Sequence, residues 1–128
     1  MTHFTKLFDS QNEQVVDQVI WGIANIAGDS NQCRDMIIDS PAFSILYDLA
    51  SKAKPGSKYL QNLAFALSNI CRGKPSPDYQ KIKKLTPVLM TIVKENTGNV
   101  LVDVCWALSY LSTDSQECVE DMDDTPFL

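Results

Sequence analysis

The stretch QVIWGIANIAGD, Gln18–Asp29, decides how this chain is read. With Val16 just before it, it carries Val16, Val19, Ile23 and Ile26 at gaps of three, four and three. That is the apolar stripe of an amphipathic helix. A second row runs beside the stripe: Gln18, Trp21 and Asn25, with Asp29 one turn further on. Offsets of three and four share a helix face, so a polar side chain, a large aromatic and a second hydrogen-bonding group stand in line.

Both patterns recur twice. The row returns as Asn62, Phe65 and Asn69, and again as Asp103, Trp106 and Tyr110. The stripe returns as Leu60, Leu63, Leu67 and Ile70, then as Leu101, Val104, Leu108 and Leu111. Positions one and three after each aromatic are small: Gly22 and Ala24, Ala66 and Ser68, Ala107 and Ser109. Small residues there allow neighbouring long helices to stack closely. The aromatic anchors lie 44 and then 41 residues apart. A period of about 40–47 residues with two or three helices per unit marks an α-solenoid of the armadillo or HEAT type.

The segments between the anchors read consistently. A first long helix is expected over 13–27, capped by Asp9, Ser10 or Asn12 and ended by Gly28. A short helix follows over 31–39, and Pro41 opens another to residue 53. KPGS (54–57) breaks the chain before a long helix over 58–72 that ends at Gly73. The cycle repeats as a turn (73–78), a short helix (78–85), a second helix (86–95), the breaker NTGN (96–99) and a long helix (99–111). Residues 112–122 begin a fourth cycle. Three helices per unit, the first short, favour armadillo. The expected fold is all-α, a right-handed α-solenoid of armadillo repeats. Complete repeats are expected at 30–73 and 74–114, with partial ones at 1–29 and 115–128. A solenoid this short lays core faces open at both ends and is expected to be marginally stable or to self-associate through them.

Composition narrows the function classes. A chain of 128 residues suits one domain or a piece of a repeat array, and 45% hydrophobic residues is ordinary for a folded protein. No apolar run approaches the roughly 18 residues of a membrane span. The start, MTHFTKLFDSQ, has no signal-peptide core, so an intracellular protein is expected. Cys33, Cys71, Cys105 and Cys118 are scattered and read as reduced thiols. The net charge of −5 argues against a nucleic-acid binder. The sole histidine is His3, so no Ser/His/Asp or Cys/His set can form. GDS (28–30) lacks the flanks of a nucleophile elbow, and Gly73-Lys74 lacks the glycine spacing of a phosphate loop. No metal-ligand spacing occurs. No enzyme activity, cofactor, metal, nucleic acid or membrane partner is therefore expected, and KIKK (81–84) reads as a solvated helix face.

The stripe accounts for the core, which leaves two readings of the row. The aromatics either pack between repeats or line a concave surface with their polar companions. Buried Asn and Gln would need partners for every donor and acceptor, so a row of them is easier to explain as a surface for a ligand. An extended peptide advances about 3.3 Å per residue, and two or three residues match the roughly 8–10 Å between stacked helices. Side-chain amides can donate to and accept from its backbone. Aromatic rings accept lysine stems and cations, at about 0.5–2 kcal/mol each, and Asp29 and Asp103 add acidic partners. The expected ligand is a linear, lysine-rich peptide.

WGIANIAGDS, FALSNICRGKP and CWALSYLS together resemble successive armadillo repeats of importin-α (karyopherin-α), in an order similar to its third to fifth repeats. The resemblance covers about Phe4 to Cys118. It implies a nuclear import adaptor that shuttles between cytoplasm and nucleus and binds nuclear localisation signals of cargo proteins. It implies that Trp21 and Trp106 clamp lysine stems, that Asn25 and Asn69 hold the peptide backbone, and that Gln18 and Asn62 support it. Asp29 matches the acid that fixes the most selective lysine, Asp103 another groove acid, and Tyr110 the place where a regular Asn gives way to Tyr. Phe65 departs from the family's Trp, which loses area and the indole N–H. The importin-β-binding segment is not among these residues. The alternative is an armadillo scaffold unrelated to import, whose basic groove takes acidic partners.

Overall fold

The computed structural model describes residues 12–124, apart from the side chains of 114 and 124. His3, the FTKLF segment and the candidate caps Asp9 and Ser10 lie outside the described residues. Within them the chain forms eight helices and no strand: α1 (Glu13–Asp29), α2 (Asn31–Ile38), α3 (Pro41–Lys52), α4 (Leu60–Cys71), α5 (Tyr79–Ile82), α6 (Leu85–Glu95), α7 (Gly98–Asp114) and α8 (Gln116–Asp124). The long helices α1, α4 and α7 stack side by side with α4 in the middle. The shorter helices pack behind them, α2 against α1 and α4, and α6 against α7 and α8.

The apolar stripe makes this stack. Val16, Val19 and Ile23 of α1, all four stripe residues of α4, and Val104, Leu108 and Leu111 of α7 are buried, while Ile26 and Leu101 are half-buried. Fully burying one such side chain stabilises by about 1.5–3 kcal/mol. The small positions behave as expected where a long helix lies beside them: Ala24, Ala66, Ser68 and Ala107 are buried. Ser109 is exposed, because among the described residues no long helix follows α7.

Local chemistry sets the helix ends. Asn12 caps α1 by accepting from the Gln14 N–H at 2.9 Å. Ser30 both ends α1 in extended backbone and caps α2, accepting from the Cys33 N–H at 3.0 Å. Gly28 does not end α1 as expected. It sits inside the helix, where an added Cβ would stand 2.8 Å from Asn69 Nδ2 of α4. The short helix expected over 78–85 shrinks to the single turn Tyr79–Ile82. KIKK lies on the surface apart from buried Ile82: Lys81 pairs with Asp39 at 2.8 Å, Lys83 meets Glu117 at 3.4 Å, and Lys84 lies 4.4 Å from the centre of the Tyr47 ring.

Arg34 ties the repeats together behind the stack. It is 1% exposed, yet its guanidinium donates to the Arg72 and Pro75 carbonyls, each at 2.9 Å, and lies against Asn31 and Asp35. Asn31 Nδ2 also donates to the Lys74 carbonyl. Gly73 must be glycine in this loop. Its φ is +117°, and an added Cβ would stand 2.3 Å from Asn31 Oδ1 and 2.8 Å from an Arg34 nitrogen.

A candidate binding groove across the long helices

The row residues divide according to what each helix packs against. On α1, Gln18, Trp21, Asn25 and Asp29 are all exposed, and Trp21 keeps 51% of its surface. On α4, Phe65 and Asn62 are half-buried and Asn69 is buried. Asn62 Nδ2 donates to Asp17 Oδ1 at 2.9 Å, and Asn69 Nδ2 donates to the Ala24 carbonyl at 2.9 Å. The amides of α4 therefore have partners within the protein, and this part of the row is not the open surface expected of it. On α7, Trp106 is 55% exposed and Tyr110 stacks on it, centroids 5.7 Å apart and planes at 24°. That stack covers one face of the indole.

The fold brings Asn25, Asp29, Phe65 and Asn69 together around one open depression of about 300 Å³ between α1 and α4. Gly28 and Arg72 complete it. Sequence reasoning gave neither a role here. Arg72 sits seven residues after Phe65, two turns on along the same face, which was the available signal. Gly28 had none, because its role is set by a side chain 41 residues away. Tyr110 lines two smaller hollows instead, with Cys71 and the Arg72–Pro77 loop. Gln18, Trp21, Asn62, Asp103 and Trp106 line none of these depressions. A larger hollow of about 650 Å³ lies between the end of α3 and α6, lined by Ala50, Pro55, Val88 and Ile92 among others, and contains no row residue.

Electrostatics add two facts. Asp29 has no ion-pair partner among the described residues. Asp103 is half-buried, and desolvation raises its carboxyl above the ordinary value of 3.8. A carboxyl raised in the fold favours the protonated form there. Its stabilising contribution is present below pH 3.8 and is lost as pH rises through the raised folded value. Asp103→Asn is therefore expected to raise the melting temperature at pH 7, with the gain vanishing near pH 3. Melts at both pH values check this, and an equal gain at both would contradict it. The four cysteines are free, and burial pushes the Cys71 thiol far up, so it supplies no thiolate at neutral pH. Among the described residues no helix is long and apolar enough to cross a membrane.

Stacked three-helix units with a row of long helices define an armadillo-repeat solenoid. Two solved structures of designed armadillo repeat proteins superpose with TM-scores of 0.80, at 23% and 24% identity. Each match covers 98% of this chain and 52% of the other, and one of those proteins is in complex with the peptide (KR)4. No family model matches the chain.

Among natural proteins the chain is homologous to the importin subunit α proteins. It is 44% identical over 112 residues to importin subunit alpha-5 of Arabidopsis thaliana, which is 87% of this chain and 21% of that protein. It is 38% identical over 118 residues to importin subunit alpha-1b of Oryza sativa subsp. japonica, 91% of this chain and 22% of that protein. The chain thus spans about a fifth of the length of these relatives.

Proposed function

We propose that this chain binds lysine-rich nuclear localisation signals along the concave face of α1, α4 and α7, as part of a nuclear import adaptor that shuttles between cytoplasm and nucleus. The observation that carries the reading is the α1–α4 depression. There the exposed Asp29 carboxylate stands beside two side-chain amides and an aromatic ring, which suits a lysine head and the backbone that bears it. Trp21 and Trp106 stand half-exposed on either side of Phe65 and offer faces for further aliphatic stems. Homology to importin α and the (KR)4 peptide held by a similarly folded protein support the same ligand class.

The test is calorimetric titration of the chain with a lysine-rich signal peptide, its lysine-to-alanine counterpart and an acidic peptide. Binding of the first alone, at one per chain, is the expected result. Equal binding of the alanine peptide would overturn the reading. Preference for the acidic peptide would favour a scaffold unrelated to import.

A further inference from the structure

The loop after α4 is held in place by α2. Arg34 donates to the Arg72 and Pro75 carbonyls and Asn31 to the Lys74 carbonyl, so three carbonyls in four residues are anchored. The same loop carries two cations, Arg72 and Lys74, both exposed. Arg72 has no ion-pair partner among the described residues. Thr113, exposed in the last turn of α7, lines one hollow of about 230 Å³ with both cations. Its hydroxyl donates at 2.7 Å to the Ser109 carbonyl, a bond within its own helix. Added negative charge at a helix C-terminal end opposes the macrodipole and needs cations nearby. Here they stand on backbone that is already ordered, so little freedom is lost in meeting an anion. Glu117, in the first turn of α8, is engaged by Gln80 at 2.5 Å and Lys83 at 3.4 Å. Arg72 also lines the α1–α4 depression beside Asp29, so the two hollows share one guanidinium.

We propose that Thr113 is a phosphorylation site whose phosphate is received by Arg72 and Lys74, and that the modification raises the affinity of the neighbouring depression for basic segments. The Thr113 oxygen attacks the γ-phosphorus of a nucleoside triphosphate held by a protein kinase. The new O–P bond forms, the bond to the leaving diphosphate breaks, and the hydroxyl proton passes to the kinase's base. The last turn of a helix opens at little cost, which gives the kinase access. The phosphate brings a charge of about −1.5 to −2 at pH 7. It draws the Arg72 guanidinium toward α7 and so relieves the repulsion that Arg72 exerts on a cation beside Asp29. The site and its receptor stand on the geometry alone; the effect on a ligand rests on the peptide reading above.

Three measurements on the whole chain test this. The folded chain is incubated with ATP, Mg²⁺ and a panel of serine/threonine kinases of acidic, basic and proline-directed preference, and the labelled residue is mapped by mass spectrometry. Label at Thr113, lost in Thr113→Val, is expected; label at other hydroxyls alone, or none, overturns the site. The chain bearing phosphothreonine at 113 is then titrated by phosphorus NMR. The phosphate is expected to lose its last proton about half to one pH unit lower in the folded chain than in urea. Replacing Arg72 and Lys74 together by alanine is expected to abolish most of that difference. The same midpoint in all three samples overturns the receptor, whether or not any peptide binds. Finally, the phosphorylated chain is expected to bind a lysine-rich peptide about threefold more tightly than the unmodified one, by an amount that added salt reduces. Unchanged affinity overturns the coupling between the hollows. Absence of peptide binding in both forms removes the coupling together with the proposed function, while the phosphorus titration still decides the receptor.

Discussion

Arg34→Met is expected to lower the unfolding free energy by about 3–5 kcal/mol. Arg34 is among the largest fully buried side chains and holds together parts of the chain about 40 residues apart. Methionine fills much of the volume but supplies no donors. The Arg72 and Pro75 carbonyls would then lose their 2.9 Å donor, and a hydrogen bond to a charged group is worth about 1.5–3 kcal/mol. Asp35 loses less, because its side chain is 55% exposed and water replaces the ion pair. Two-state denaturant unfolding of wild type and variant measures the difference. A loss under about 1 kcal/mol would mean that the loop re-pairs with water and that Arg34 is not its anchor. Arg34→Lys is expected to recover only part of the loss, since one ammonium cannot reproduce a planar fork that meets several acceptors at once.

Asp29→Lys is expected to weaken a lysine-rich peptide at least tenfold, or about 1.4 kcal/mol or more, without lowering stability. Asp29 is exposed at the last residue of α1 and has no ion-pair partner to lose among the described residues. Its negative charge is in fact poorly placed for the helix, whose C-terminal end favours cations, so lysine there is tolerated. In the groove the substitution exchanges an attraction for a repulsion beside Arg72, which already lines the same depression. Arg72→Ala is expected to move the other way and tighten the basic peptide about two- to threefold, an effect that added salt should erode. Titrations of both variants at low and moderate salt check the pair. Unchanged affinity in Asp29→Lys would place the peptide off the α1–α4 depression.

Much of this was legible before any coordinates. The apolar stripe around Trp21, Phe65 and Trp106 marked the helix faces that are buried, because a 3.6-residue period is a local property that any window of the chain displays. The recurrence at 44 and 41 residues marked the stacking, since a repeated helix can bury its stripe only against its neighbours. The exposed row on α1 followed from the same periodicity. The row on α4 did not, although its spacing is the same. α4 has a long helix on each side and α1 has one among the described residues, so equivalent amides end in different surroundings.

The class of fold, the core stripe and the face that carries the row are thus written in local periodicity and its recurrence. Packing across repeats settles which amides are committed and which remain open, that Arg34 is buried, and that Arg72 shares a depression with Asp29. The range of the contacts explains the division. Asn62–Asp17 and Asn69–Ala24 each span 45 residues, and Arg34–Pro75 spans 41. Partners at that distance are set by how one helix is shifted and rotated against the next, which local periodicity does not encode.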